Sequence, residues 1–199
     1  GHTFLGWSTS NTATSATYQP NTEYPFSDNT TLYAVWSVNT YTLTIDPNGG
    51  EYNGSTENTT VKGEYNSAIT IANPTPPSGY TVTFNGNGGS SASSTLTSTK
   101  SFDKWTVTGN GTLSGTKYTF CAENDSIIAS YKNDSITLPN ATRTGYTFDG
   151  WYTSATGGEL VGKAGESHTP TSTKTLYAHW TINSYYIDLN IYVNGTSYG

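Results

Sequence analysis

Side chains that could catalyse a reaction are few in this chain, and they are scattered along it. Nucleophilic catalysis needs a serine or cysteine beside a histidine and an orienting acid. The three histidines occupy positions that hold aromatic or apolar residues in other copies of an internal repeat; they are His2, His168 and His179. Acidic residues that could cleave glycosides are spread over turns, and no pair stands out. We therefore predict no catalytic residue and a protein that is not an enzyme.

Metal-binding chemistry is only weakly indicated. No histidine pair has zinc-site spacing, and Cys121 is the single cysteine, so neither a cysteine metal site nor a disulfide can form within the chain. Two pairs of oxygen-bearing loop residues could contact calcium, namely Asp46 with Asn48 and Glu123 with Asp125. Because EF-hand spacing is absent, we interpret these acids as solvated turn residues, with calcium as the open alternative. We predict no metal and no cofactor.

Carbohydrate binding is the better-supported alternative, because exposed aromatic rings stack on sugar rings. Sixteen tyrosines and five tryptophans exceed what a few small cores need. The candidate ligand-binding residues are Tyr33, Tyr152 and Tyr177, which we place on the outer sheet face or in loops. Cross-strand packing on that outer face is the simpler interpretation, and we prefer it.

Internal repetition dominates the sequence. Residues 7–36 and 151–180 align without a gap, and each begins and ends with tryptophan. The first tryptophan of each segment ends a Thr-Phe-x-Gly-Trp phrase, and the last one ends a Leu-Tyr-Ala-x-Trp phrase. A third, divergent copy runs from SFDKW at 101–105 to IIASY at 127–131.

These repeats predict four segments. Residues 1–36 form the C-terminal half of a repeat unit, and residues 37–131 form a central divergent unit with extra strands. Residues 132–180 form another unit, and residues 181–199 are the opening strands of a further one. Since the chain begins and ends within a unit, we interpret it as a fragment of a longer protein.

Strands are indicated by alternation of apolar residues with threonine. YTLTID at 41–46 and YTVTF at 80–84 both place threonine on one face, as half-buried strands do. Asn-Gly turns follow both runs. Charged residues are only 11% of the chain. We find no long helix, so a mainly β protein is predicted.

The Phe-x-x-Trp pairs pose a geometric problem, because residues three apart on a regular strand point to opposite faces. A bulge at Gly6 and Gly150 would bring both rings to one face. Large aromatic rings dominate small cores, so we predict that the repeated aromatic residues are structural. The predicted core residues are Phe4, Trp7, Trp36, Phe102, Trp105, Phe148, Trp151 and Trp180.

Charge and hydropathy exclude two classes of partner. The formal net charge is -6, and eight lysines and arginines are too few and too dispersed to form a basic face for nucleic acid. No apolar run is long enough to span a bilayer, so we predict no membrane insertion in this fragment.

The phrases GYTFDGWYTSATGGELVG and TSTKTLYAHW, with TLPNATRTGY before them, resemble the Listeria–Bacteroides repeat of bacterial surface proteins, a relative of the internalin B-repeat. The resemblance implies tandem, small β-grasp-like units with mixed or antiparallel sheets and little helix, and it implies no catalytic residue. Two features depart from that pattern. An extra stretch, YTVTFNGNGG, interrupts the central unit, and Tyr131 replaces the closing tryptophan.

The expected function follows from the resemblance and the repeats. We expect a non-enzymatic, extracellular repeat segment of a bacterial surface protein, secreted or attached to the cell wall, that serves as a spacer or adhesion module. Its partner would be a host or bacterial surface protein or a glycan, of unknown identity. We also hypothesise that strands 185–193 complete the half-unit 1–36 in the same chain or a neighbour, giving head-to-tail self-association by strand donation.

Overall fold

The computed structural model describes residues 1–189 and the backbone of the strands Ile191–Val193 and Thr196–Tyr198. The described residues form β-strands and no helix, so the predicted mainly β class is confirmed. Accordingly, this part of the chain offers no apolar helix of membrane-crossing length. The strands form small antiparallel and mixed sheets, whereas the β-grasp-like arrangement of each unit remains a prediction.

The strands are numbered in chain order. They are β1 His2–Ser8, β2 Tyr33–Val38, β3 Thr40–Asp46, β4 Thr59–Glu64, β5 Ala68–Thr70, β6 Thr81–Asn85, β7 Ser90–Ser91, β8 Thr95–Thr97, β9 Lys100–Thr108, β10 Thr112–Ser114, β11 Lys117–Thr119, β12 Asp125–Asn133, β13 Ile136–Thr137, β14 Ala141–Thr142, β15 Tyr146–Tyr152, β16 Leu160–Gly162, β17 Ser167–His168, β18 Lys174–Ile182, β19 Ile191–Val193 and β20 Thr196–Tyr198. The predicted Asn-Gly turns follow β3 and β6, where Asn48 and Asn87 both have φ 48°. Asparagine tolerates this left-handed conformation better than most residues.

The chain forms two compact units, and each is built from two separate stretches of sequence. The first unit comprises Gly1–Pro77 and Ser101–Lys132, and the second comprises Ser78–Lys100 and Asn133–Gly199. The second stretch of each unit supplies strands that pair with the first. The units therefore alternate along the sequence.

The main sheet of the first unit has the strand order β4-β3-β12-β9. β3 lies between antiparallel β4 and parallel β12, with Ile45 opposite Ile127. Both isoleucines are fully buried, as the alternation in YTLTID predicts for one face of a strand. They share their core with Trp105 and Phe120, among others.

The main sheet of the second unit repeats this plan with the order β16-β15-β18-β6-β8. β6 runs parallel to β18, with Phe84 opposite Leu176, and antiparallel to β8. Val82, Phe84, Trp151, Leu176 and Ala178 form the centre of its core. β6 thus has the role that β3 has in the first unit.

The location of β6 differs from its place in the repeats, where residues 80–84 fall inside the central segment 37–131. In the structure, β6 joins the sheet of the second unit. The physical reason is that β12 already has β3 as its parallel neighbour, whereas β18 has an open edge that β6 fills. The repeat boundaries at residues 36, 131 and 180 remain predictions, because the compact units follow strand pairing.

The predicted bulge is present in two hairpins. In β1 and β2, the register shifts between Phe4 and Gly6, and β15 and β18 have the same shift between Phe148 and Gly150. Both glycines have positive φ, 134° and 145°. Phe148 then lies edge-on to Trp151, with ring centroids 5.3 Å apart. The bulge therefore brings both aromatic rings to one face, as predicted.

Exchange of Val82 for alanine tests the assignment of β6. Val82 is fully buried in the core of the second unit, so we expect Val82→Ala to lower the free energy of unfolding of that unit by about 1.5–3 kcal/mol. Hydrogen exchange resolved by peptide would show faster exchange in β15 and β18 and unchanged exchange in β3 and β12. Leu43→Ala is the matched control, since Leu43 has the corresponding place in the first unit and should give the opposite pattern.

Candidate functional site

A cleft of about 870 Å³ lies in the second unit. Its wall includes the side chains of Phe148 and Trp180 and the turn at residues 88–90. The Trp180 Nε1 atom donates a hydrogen bond to the Gly86 carbonyl at 3.0 Å, which fixes the indole against the turn. A Cβ on Gly89 would collide with this indole, so glycine is required there.

A charged side chain forms one side of the cleft. The Arg143 guanidinium stacks on the ring of Tyr146 at 3.9 Å from its centroid. Arg143 and Trp180 also border a smaller depression of about 390 Å³, together with Asp149 and His179. An indole face, a cation and a carboxylate thus lie around one surface. Such a combination can bind a polar ligand that has an apolar face, such as a sugar.

The three candidate tyrosines are distributed over both units. Tyr152 and Tyr177 lie opposite each other in the β15–β18 pair of the second unit, and both are half-buried. Tyr152 stacks flat on His179, with centroids 3.9 Å apart and an interplanar angle of 7°. Tyr33 is 41% exposed in the first unit, where it pairs with Ser8. The structure therefore brings two of the three together, and their ligand-binding role remains a prediction.

The predicted core residues separate into two groups. Trp151 is fully buried and Trp105 is 8% exposed, while Phe4, Phe102, Phe148 and Trp180 are half-buried. Trp7 and Trp36, in contrast, are 40% and 56% exposed, so the predicted core is wrong at these two positions. The physical reason is that, among the described residues, β2 pairs only with β1. No third strand of the described sheet covers the two tryptophans.

A buried carboxylate in the first unit was missed by the sequence interpretation. Asp125 is only 5% exposed, which corrects its interpretation as a solvated turn acid. Its carboxylate accepts hydrogen bonds from the Tyr118 hydroxyl and from the backbone N–H groups of Gly111 at 2.8 Å and Asn110 at 3.2 Å. Burial alone would raise the pKa of Asp125, but these hydrogen bonds outweigh it and hold the pKa below its usual range.

Cys121 and Glu123 lie near this carboxylate. One ligand atom from each of the three residues falls within 4.8 Å of the others. The Cys121 thiol donates to Asp125 Oδ2 at 3.2 Å, and burial together with this hydrogen bond raises the pKa of the thiol. The oxygens of Asp125 are thus occupied by donors from the protein itself. This arrangement attaches the loop after β9, at Asn110 and Gly111, to the first residue of β12.

The other calcium candidate is also used within its own turn. The Asp46 carboxylate accepts a hydrogen bond from the Asn48 backbone N–H at 2.7 Å. The Asn48 side chain donates to the Ala129 carbonyl at 2.9 Å, which attaches the turn to β12. These contacts explain both side chains as parts of a turn.

The histidines lie in three different environments. His2 is exposed and lies edge-on to Tyr65, with ring centroids 5.8 Å apart. His179 contacts the Ser154 carbonyl through Nε2 at 2.9 Å. His168 pairs with Ile136, and burial and then the charge of Lys174 lower its pKa. Local contacts thus account for His2 and His179, whereas the buried Nε2 atom of His168 has no hydrogen-bond partner among the described residues.

Comparison with known proteins identifies relatives of this chain. Two proteins of Evansella cellulosilytica are 30% identical to it, one named "Putative Gly-rich membrane protein" and one named "Putative membrane protein". The alignments cover 93% and 100% of this chain but only 21% and 29% of those proteins. The chain thus spans less than a third of the relatives it matches. No solved structure matches it.

The sequence profile of a repeat family matches most of the chain, at residues 1–35, 80–122 and 118–179. Those matches include the bulged strand of both hairpins, the first part of each partner strand, and the strand β6 that completes the second unit. They accord with the phrases that open and close the repeats. The chain therefore belongs to the Listeria-Bacteroides repeat domain family.

Proposed function

We propose that this chain is a non-enzymatic repeat segment of an extracellular bacterial surface protein, where it acts as a spacer or adhesion module. One observation carries the proposal: the Phe–Trp motif of the second unit packs within the folded unit itself. In the second unit, Phe148 contacts both Trp151 and Trp180, at centroid distances of 5.3 and 5.4 Å. A motif used in this way repeats a building block along the chain.

The surface chemistry suits an extracellular role. Charged residues are only 11% of the chain, and hydroxyl and amide side chains supply most of the remaining polarity. The relatives of this chain carry the name membrane protein, which agrees with a location at the cell surface, secreted or attached to the wall. Its partner would be a host or bacterial surface protein or a glycan.

A second candidate function is carbohydrate binding at the cleft of the second unit. The observation that favours it is the grouping of Trp180, Arg143 and Asp149 around one surface, with Tyr152 stacked on the adjacent His179. Stacked rings present a flat apolar face, and the neighbouring polar groups could bind sugar hydroxyls. The multivalent display of such weak sites along repeats would raise avidity.

A glycan array separates the two functions. For a spacer, we expect no glycan to bind the 199-residue chain above background. Replacement of the segment within its surface protein by an unrelated β-repeat of equal length should then preserve antibody access to the outermost domain. Deletion of the segment should reduce that access.

The opposite outcome would support the carbohydrate-binding function. It consists of specific glycan binding by the chain that Tyr152→Ala or Tyr177→Ala abolishes while the circular dichroism spectrum is unchanged. Tyr33→Ala tests the third candidate tyrosine, which belongs to the first unit and does not line the cleft.

A further inference from the structure

Arg143 is a half-buried cation in the cleft of the second unit. Its guanidinium forms no ion pair and donates no hydrogen bond to any described residue. Asp149, which borders the adjacent depression with it, instead accepts hydrogen bonds from the Thr181 hydroxyl at 2.9 and 3.0 Å. The guanidinium thus loses part of its hydration without an anion to replace it. An anionic ligand in the cleft would supply that replacement.

The position of Arg143 is set by its neighbours. The Tyr146 N–H donates a hydrogen bond to the Arg143 carbonyl at 3.1 Å, and Gly145 between them has φ 80°, so the chain turns tightly. The turn places the guanidinium on the Tyr146 ring. A Cβ on Gly88 would lie 3.3 Å from the guanidinium carbon, so the loop at Gly88 also limits its movement. Stacking uses the face of the guanidinium, whereas its N–H groups lie in the plane and remain available for a carboxylate.

The first unit has the same turn and the same kind of closing aromatic ring. Its Tyr131 hydroxyl donates to the Pro47 carbonyl at 2.6 Å, and this hydrogen bond corresponds to that of Trp180 in the second unit. Gly50 has the place of Gly89, because a Cβ on either glycine would collide with the closing aromatic side chain. The two units therefore build this region from equivalent parts.

The two regions differ in charge at two positions. Ser90 pairs with Thr142 in the second unit, and Glu51 has the place of this serine in the first. The residue after Thr142 is Arg143, and the residue at the same place in the first unit is a proline. The region is thus acidic in the first unit and basic in the second. Since the first unit forms it without a cation, Arg143 is not needed to build it.

The rest of the cleft wall suits a sugar. Trp180 contributes a half-buried indole, and aromatic rings pack on the apolar faces of sugars. Ser90, Thr142 and Thr144 are exposed, and their hydroxyls bond to no described residue. Of the residues that line the cleft, Arg143 alone is charged. The volume of about 870 Å³ lies within the range of small-ligand sites, about 300–1,000 Å³.

We propose that the cleft of the second unit binds an acidic sugar that carries one carboxylate, as a uronic acid does; this inference rests on the carbohydrate-binding function proposed above. The Arg143 guanidinium binds the carboxylate through its coplanar N–H groups, and the sugar ring packs on Trp180. One cation matches one negative charge. The net charge of -6 opposes ligands that carry several.

Nuclear magnetic resonance titration of the isotope-labelled 199-residue chain tests the proposal. The probes are the trimers of galacturonic acid and of mannuronic acid. We expect at least one acid trimer to cause saturable shifts at the backbone amides of residues 88–90 and 142–146. Its methyl ester is the matched ligand, because it keeps the sugar ring and loses the charge. The ester should bind about tenfold or more weakly than the acid.

Two variants change the charge of the cleft. Arg143→Gln removes the cation, and Ser90→Glu adds the carboxylate that the first unit has at this place. Each should weaken binding of the acid trimer by about tenfold or more and leave the circular dichroism spectrum unchanged. Lys163→Gln is the matched control and should bind normally. Lys163 is exposed in the same unit and does not line the cleft, so its exchange makes the same change in net charge as Arg143→Gln.

The outcomes separate this proposal from the function on which it rests. Equal binding of acid and ester, unaffected by Arg143→Gln, would overturn the acidic ligand and keep a sugar site. Binding of a neutral glycan alone at residues 88–90 and 142–146 would have the same meaning. If the chain binds neither acid trimer and no glycan on the array, the acidic ligand and the carbohydrate-binding function are both wrong.

Discussion

Replacement of Trp151 by alanine is expected to lower the free energy of unfolding of the second unit by roughly 3–5 kcal/mol. Trp151 is fully buried, and its ring contacts Phe84 and Phe148. Its Nε1 atom also donates to the Pro139 carbonyl at 2.8 Å, so the substitution removes a partner as well as a large volume. Since a small domain has a total stability of about 5–15 kcal/mol, most of this unit's stability would be lost.

Urea denaturation followed by peptide-resolved hydrogen exchange would measure this loss separately for each unit. Trp7→Ala is a matched control, because Trp7 occupies the same place in its hairpin and makes the same 5.3 Å contact with a phenylalanine. It is 40% exposed, so its loss should be less than half that of Trp151→Ala in dilute solution. Equal losses would contradict the difference in burial.

Local features of the fold could be predicted from short stretches of sequence. Alternation in YTLTID and YTVTF identified β3 and β6 as strands, because a strand with one buried face needs a period of two. The spacing of Phe148 and Trp151 required a kink, and Gly150 identified where it lies. These predictions held because each depends on a few neighbouring residues and on the geometry of one strand.

The partner of each strand could not be predicted in the same way. β3 and β6 share the same alternation of threonine with apolar residues, so the pattern shows which face is apolar but not whether β12 or β18 lies beside the strand. Pairing is decided by which edges are open once the chain folds. For the same reason, Trp7 and Trp36 were expected in a core, although the strand that would cover them is not beside β2 in the described residues.

The candidate site was only partly accessible from sequence. The tyrosines Tyr152 and Tyr177 were identified by type, but the cleft near them depends on Arg143 and on the turn at 88–90, which are distant in the sequence. Asp125 was identified only as a possible calcium ligand or a solvated turn acid, because the residues that bury it come from three different segments. In a polar stretch of sequence, a carboxylate is interpreted as a turn residue. Only the folded structure shows the hydrogen-bond donors that surround it.

Replacement of Asp125 by alanine is expected to lower the free energy of unfolding of the first unit by about 2–6 kcal/mol, from about 1–3 kcal/mol for each of two buried donors left unpaired. The substitution leaves the Tyr118 hydroxyl and the backbone N–H of Gly111 without their acceptor in a buried place. A Cβ on Gly109 would collide with the carboxylate, which shows how closely the loop encloses it. Unpaired buried donors are costly, so the loss should exceed that of an ordinary surface substitution.

Glu123→Ala is the matched control, because Glu123 is an exposed acid two residues from Asp125. Its removal should change the unfolding free energy by no more than about 0.5 kcal/mol. Both variants can be compared by urea denaturation at neutral pH, with hydrogen exchange in β12 as the local readout. Similar effects of the two substitutions would mean that the hydrogen bonds to Asp125 contribute little.

The pH dependence of unfolding tests the same carboxylate without removing its volume. The pKa of Asp125 is lower in the folded protein than in the unfolded chain, where it is about 4. Its stabilising contribution is therefore complete above the unfolded pKa and is lost as the pH falls through the folded pKa. Asp125→Asn should flatten the stability profile of the first unit in this acidic range and lower its stability above it. A variant profile that stays parallel to the parent below pH of about 4 would show that other carboxylates cause the acid sensitivity.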